Sequence, residues 1–234
     1  MNRRLVVFGA MLVGLYSLAA PLSGQEKSVR PGINSSFQNP NVKSFQERFE
    51  GESREIFKQR QEIVAACQLE HGMAVADVGA GTGLFSRLFA KAVGPKGKVY
   101  AVDITPNFVR HIEKTSQELG QKNVIGVVCT QTSSELPRNS VDVVFICDVY
   151  HHFEFPYKTM ETIHAALKPG GRLVLIDFHR IEGKTSERLL KHVRAGQDVF
   201  TKEIVSCGFK VVEEKKLLTE NYFVRFEKLE LNPR

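Results

Sequence analysis

Cysteine is scarce, with four residues in a chain of 234, too few for the disulfide framework of a small secreted scaffold. No segment repeats at the periods of tens of residues that mark solenoids and propellers. Neither sign of charge dominates: 32 Lys and Arg stand against 26 Asp and Glu, a formal +6. Two of those cations, Arg3 and Arg4, sit at the extreme N-terminus, and the rest are scattered without a basic stripe. That distribution, with no appended RNA- or DNA-binding module, argues against a nucleic-acid partner. With 42% hydrophobic and 25% charged residues, the chain is not a disordered tail, a collagen or a multi-span membrane protein. Its length predicts one domain with extensions.

One long apolar run is present. Asn2-Arg3-Arg4 leads into the uncharged stretch Leu5 to Ala20, and small residues (Ser17, Ala19, Ala20, Ser23, Gly24) precede polar sequence from Gln25. This layout reads as a secretory signal peptide over residues 1–24. The run is shorter than the roughly 20 residues that cross a bilayer comfortably, which favours cleavage over anchoring. The expectation is an exported, periplasmic or extracytoplasmic protein touching membrane only through this segment; the duller reading is a buried helix. Residues 25–44, rich in Ser, Asn, Pro and Gly, read as a linker, leaving 45–234 as the domain. Apolar spacing at Phe45, Phe49, Ile56, Ile63 and Cys67 predicts one helix from Phe45 to Gln68, lying over the sheet or across a ligand pocket.

Beyond it, strands and helices alternate. Ala74–Val78, Lys98–Asp103, Val124–Cys129, Val141–Asp148 and Arg172–Phe178 are short β-branched or apolar runs. Leu84–Ala92, Pro106–Leu119 and Pro156–Leu167 carry helical spacing between them. Such alternation means βαβ units, and right-handed crossovers give a parallel sheet covered on both faces. After a further helix at Gln197–Cys207, Phe209–Leu217 and Tyr222–Leu229 are separated only by a short turn, so they should form an antiparallel hairpin. The predicted fold is α/β: a doubly wound, mostly parallel seven-stranded sheet ending in that hairpin.

Asp77-Val78-Gly79-Ala80-Gly81-Thr82-Gly83 follows the first strand and opens a helix, so a ligand can approach backbone closely there. The glycine spacing is G-x-G-x-G, with Leu84 where the dinucleotide fingerprint places its third glycine. Asp103 ends the second strand, where a carboxylate accepts both hydroxyls of a ribose.

These segments, with Ala101-Val102-Asp103, Ser140-Val141-Asp142-Val143-Val144 and Leu167-Lys168-Pro169-Gly170-Gly171-Arg172-Leu173, resemble the successive motifs of class I S-adenosylmethionine-dependent methyltransferases. The resemblance runs from about Phe45 to Leu229. It implies a Rossmann-like methyltransferase fold and S-adenosyl-L-methionine as cofactor. It sets the glycine loop (Gly79, Gly81, Gly83) against the methionyl part, Asp103 on the ribose and Ile104 on adenine. The family's adenine-edge carboxylate is missing, and Thr132 aligns best with it. Val149-Tyr150-His151-His152-Phe153 matches a variant known in small-molecule methyltransferases. A closer resemblance, to exported bacterial members with stretches like Arg48-Phe49-Glu50 and His192-Val193-Arg194-Ala195-Gly196, implies no known substrate. The function this suggests is methyl transfer to a small or lipophilic acceptor by in-line displacement.

A sulfonium already carries a good leaving group, so the protein must align the acceptor and exclude water, with a base where the acceptor is a protonated hydroxyl or thiol. Asp77 is a candidate contact to the cofactor's ammonium or to the loop amides, or else a helix N-cap. Asp148, at the carboxyl edge of the fourth strand, is a candidate for touching cofactor or acceptor. His151 is the candidate base. Adjacent histidines point in different directions, so at most one of His151 and His152 is expected to face the pocket. The two lack metal-ligand spacing, and no metal is expected. Tyr150 is a candidate wall residue. Ile181 to Gln197, which carries His192 and Arg194, reads as a polar insertion, either a lid or a solvated loop. Arg48, Glu50, His179 and Arg180 lie on candidate edges without a stronger signal. A Cys67–Cys207 disulfide stays open. The readings from other classes are a nucleotide-dependent oxidoreductase and a non-catalytic binding protein that keeps the fold.

Overall fold

The computed structural model describes residues 25–52 and 54–230, so the expected signal peptide at 1–24 lies outside the described residues. Among the described residues no helix is long and apolar enough to cross a membrane. Seven strands of the described residues form one sheet: β1 Ala74–Val78, β2 Lys98–Asp103, β3 Val124–Val128, β4 Val141–Cys147, β5 Leu167–Phe178, β6 Phe209–Lys215 and β7 Asn221–Lys228, in the order β3-β2-β1-β4-β5-β7-β6. The first five run parallel, and β7 is antiparallel to both β5 and β6. This is the doubly wound sheet with a reversed terminal hairpin that the alternation predicts. β5 begins earlier than its apolar run. Leu167 pairs with Val141 and Arg172 with Val143, the register shifting across Pro169-Gly170-Gly171.

The strand period of two sorts side chains onto two faces. Val75, Val143, Phe145, Val174 and Ile176 pack toward Ile63, Phe85, Phe89 and Val93 of α3 (Arg60–Ala66) and α4 (Leu84–Val93). Ala76, Val78, Val144, Ile146, Leu173 and Leu175 pack toward Met160 and Ile163 of α6 (Pro156–Ala166) and Phe200 and Ile204 of α8 (Gln197–Ser206). Each of the Val, Leu, Ile, Phe and Met side chains among them, buried from water, contributes about 1.5–3 kcal/mol. Cys67 belongs to the first cluster and Cys207 to the second, and all four thiols are free. The sheet stands between the two cysteines, which removes the Cys67–Cys207 disulfide.

The helix expected from Phe45 to Gln68 is instead three: α1 Val42–Phe49, α2 Glu55–Lys58 and α3. Gly51, a poor helix former, follows α1, and its apolar stripe serves two surfaces. Ile56, Ile63 and Cys67 enter the core. Phe45 and Phe49 instead meet Phe37 and the Phe108 ring of α5 (Pro106–Glu118), with ring centroids 5.3–5.5 Å apart for Phe45–Phe49, Phe37–Phe45 and Phe45–Phe108. Residues 25–41 are irregular apart from a 3-10 turn at Ser35–Phe37, and they are tied to the domain. Val29 N–H donates to Glu154 O (2.9 Å), Asn34 Nδ2 to His152 O (3.1 Å) and Thr105 Oγ1 to Phe37 O (3.1 Å). The polar insertion after β5 contains α7 (Glu187–His192), capped by Ser186 and anchored by the buried Val193.

Candidate active site

Where β1 and β4 lie side by side, their connections leave in opposite directions and open a crevice at the carboxyl ends of the strands. A cavity of about 830 Å³ occupies it. One end is lined by Gly79, Gly81, Asp103 and Ile104, the other by Asp148, His151, His152 and His192, and Phe37 and Phe49 cover it.

The glycine loop turns because its backbone takes values other residues resist. Gly79 has φ of 76°, and a Cβ there would stand 2.4 Å from Val149 Cγ1; the loop after β4 therefore packs against bare backbone. Gly79 and Ala80 N–H both donate to Val102 O (2.8 and 3.0 Å), which ties β1's exit to β2. Gly81 N–H donates to Asp103 Oδ2 (2.9 Å), and Thr105 N–H to Oδ1 (2.8 Å). Burial lifts the Asp103 carboxyl to about 6 against the pull of these amides. Gly83 caps α4 in the left-handed region and is not part of the cavity wall.

Asp77 is not on the wall either. It is buried, accepts from Ser86 Oγ (2.6 Å) on the first turn of α4, and is raised by burial to about 7. Its side chain runs toward α4 under the loop and meets the Ser86 hydroxyl, while the N-cap position of that helix is held by Gly83. Thr132 likewise misses the wall, which Gln131 and Ser133 reach on either side of it. Its backbone N–H is drawn to Thr130 Oγ1 (3.3 Å) instead.

At the other end Asp148 stands at φ 55°, a left-handed conformation costly for a residue with a Cβ. Arg54 donates to Oδ2, and Asn221 Nδ2 to Oδ1 (2.5 Å). Burial raises its carboxyl to about 6, with Arg54 opposing. His151 and His152 lie in a 3-10 turn (Tyr150–His152). Asp177, fully buried on β5, accepts from His151 N–H through Oδ2 (3.1 Å), while its Oδ1 lies 2.7 Å from His151 Nδ1. Burial pulls His151 down, but the Asp177 carboxylate outweighs it and the imidazole is raised overall. His152 is pushed down to about 2, by burial and then by the neighbouring His151 and His192.

The expectation that at most one of the adjacent histidines faces the pocket is corrected: both line it, and His192 joins them from α7. The tight turn holds the first two rings 4.4 Å apart, and α7 closes over both, at 5.1 and 5.0 Å between centroids. Tyr150 is no wall residue; it is buried against Phe153 and Phe200. Arg194 holds Glu203 by two hydrogen bonds (2.8 and 2.6 Å), which assigns it to the fold. His179 and Arg180 lie off the cavity wall, while Arg48 is on it. Glu50, from the end of α1, accepts from Thr82 Oγ1 (2.8 Å) and Arg87 Nη2 (2.7 Å) and so clamps α1 to the glycine loop.

Sequence reasoning missed Asp177, Arg54 and Asn221. Asp177 carried a usable signal, an acid at the carboxyl end of an apolar strand. Arg54 and Asn221 carried none, since their roles depend on chain segments far apart in sequence.

An open sheet of this order, with an adenosine-sized hollow, a glycine loop and an acid after β2, defines a Rossmann-like fold built for an adenosyl ligand. Residues 69–225 match the family model of a methyltransferase domain, and the chain belongs to that family. It is 29% identical over 120 residues to the ubiquinone/menaquinone biosynthesis C-methyltransferase UbiE of Burkholderia vietnamiensis, a match covering 50% of this chain and 48% of that protein. The chain thus spans about half the length of the curated relatives it matches. A crystal structure of a SAM dependent methyltransferase from Aquifex aeolicus superposes with a TM-score of 0.72 at 25% identity, covering 81% of this chain and 99% of that one. Another from Mesorhizobium loti, at 16% identity, TM-score 0.57 and coverage of 74% and 97%, shares the fold. The domain is an S-adenosylmethionine-dependent methyltransferase, with S-adenosylmethionine as its cofactor; nothing in these comparisons favours an oxidoreductase.

Proposed function

We propose that this chain methylates a small, lipophilic, hydroxylated acceptor bound at the histidine end of the cavity. One observation carries the reading: a single continuous cavity runs from Gly81 and Asp103 to Asp148 and His151. The residues present suit the cofactor. Asp103 offers a buried carboxylate to a ribose, Ile104 and Phe108 offer apolar faces to a base, and the glycine loop leaves room for the chain beyond. When bound, the cofactor supplies an electrophilic methyl group.

The chain's own part is positioning and proton handling. Phe37, Phe49, Phe153 and Phe178 give the acceptor an apolar, water-poor chamber. That chamber supports a lipophilic acceptor, as does likeness to an enzyme named for quinone biosynthesis. His151 keeps Nδ1 on Asp177, which leaves Nε2 for a proton from an acceptor hydroxyl, and the carboxylate stabilises the imidazolium formed. Asp148, held by Arg54 and Asn221, supports the same end.

Calorimetric titration of the purified chain with S-adenosylmethionine or S-adenosylhomocysteine should show micromolar binding, and labelled methyl should pass into a lipid-soluble fraction of cell extract. Absence of binding would sink the reading. Export by way of residues 1–24 belongs to the same proposal; mass spectrometry of the native N-terminus would find Met1 removed with the segment.

A further inference from the structure

We propose that His151, His152 and His192 form a binding site for a divalent transition metal ion at the acceptor end of the cavity. Each offers one nitrogen, and the three ligand atoms lie within 4.8 Å of one another. His152 Nε2 and His192 Nε2 are 3.3 Å apart. Two zinc–nitrogen bonds of about 2.0–2.1 Å at the tetrahedral angle separate their nitrogens by roughly 3.3–3.4 Å. The pair is thus already at the spacing of two neighbouring ligands in one tetrahedral coordination sphere.

The ring partners add to this. His151 has Nδ1 at 2.7 Å from Asp177 Oδ1, so Nε2 is its free nitrogen. A carboxylate behind a ligating histidine is the outer-sphere arrangement that fixes tautomer and ring angle at metal sites. The other nitrogen of His152 is buried without a hydrogen-bond partner among the described residues. Two imidazole nitrogens facing each other share at most one proton, whereas a cation satisfies both lone pairs. Three imidazoles and no carboxylate favour zinc, cobalt, nickel or iron over magnesium or calcium. All three residues line the cavity, so a fourth coordination position opens into it, as in catalytic rather than structural sites.

Resting on the methyltransferase reading, this assigns the acceptor a class: a phenol, catechol or enol whose oxygen takes the fourth position. In the metal-free chain His151 accepts the hydroxyl proton itself. With the ion bound, the cation lowers the hydroxyl pKa and the proton leaves to solvent.

The test uses the purified full chain after chelator treatment, titrated with cobalt(II) chloride. One equivalent should give the intense visible absorption of tetrahedral cobalt, and zinc should abolish it. His192→Ala and His152→Gln should each remove the band. Asp177→Asn should weaken cobalt binding by roughly 10–100-fold. S-adenosylhomocysteine titrated into the same samples should bind wild type and His192→Ala alike, showing that the variant is folded. No band, or a band that survives both histidine changes, overturns the metal site. A normal band in a chain that binds no S-adenosylhomocysteine leaves the metal site standing and overturns the methyltransferase reading instead.

Discussion

At the glycine-loop end of the cavity, Asp103 is the carboxylate on the wall. Its oxygens are engaged by the amides of Gly81 and Thr105, which aims it while burial holds its pKa near 6. An ionised carboxylate accepts ribose hydroxyls more strongly than a protonated one. Affinity for S-adenosylhomocysteine should therefore be full above pH 7 and fall as pH drops through about 6; an unperturbed aspartate would hold until near 4. Asp103→Ala should cost roughly 2–4 kcal/mol of binding, about 30- to 1000-fold in Kd, and flatten that pH dependence. Calorimetry at several pH values checks both, and an affinity flat from pH 8 to 5 in wild type would count against the ribose role. Asp103 was legible in sequence because an acid closing an apolar strand has few structural excuses. The His151–Asp177 pair was not, because its partners lie 26 residues apart and meet only through the alignment of β4 with β5. The direction of Asp77 was hidden for a related reason: sequence places it beside the loop but cannot show that its side chain turns under the loop to Ser86.

Among the elements, the N-terminal cover differs from the rest. Neither the 3-10 turn nor α1 contains a fully buried residue. Both are held by aromatic edges and by Glu50, whose carboxylate meets Thr82 and Arg87. Segments of this kind open at low free energy and are suited to admitting ligands. Removing the Glu50 carboxylate leaves a partly buried Arg87 short of a partner, so Glu50→Ala should loosen the cover by about 1–2 kcal/mol. Hydrogen exchange over residues 42–50 should accelerate, while amides of β4 and β5 keep their protection. An unchanged exchange map would show that the clamp contributes nothing. Apart from the early start of β5 at Leu167, the strands were readable to within about two residues, since β-branched runs bounded by Gly, Pro and Asn permit little else. The cover was not: one apolar stripe reads as one helix even when its first turns face a cavity and its last turns face the core.

Taken as a whole, the molecule is two hydrophobic layers divided by one sheet. Cys67 lies in one layer and Cys207 in the other, and burial raises both thiols to about 12, where they react poorly as nucleophiles. In native protein these two should resist thiol reagents, and denatured protein should titrate four thiols whether or not it was first reduced. Fewer than four without reduction would mean a bridge that this architecture does not permit. The sheet's order also bears on biosynthesis. β7 follows β6 in the chain, yet it lies inside the sheet between β5 and β6. Until β7 has been made, β5 has an open edge and β6 has nothing to pair with. A nascent chain that stops short of Asn221–Lys228 thus holds an unfinished sheet, closed only by a strand made after both of its neighbours.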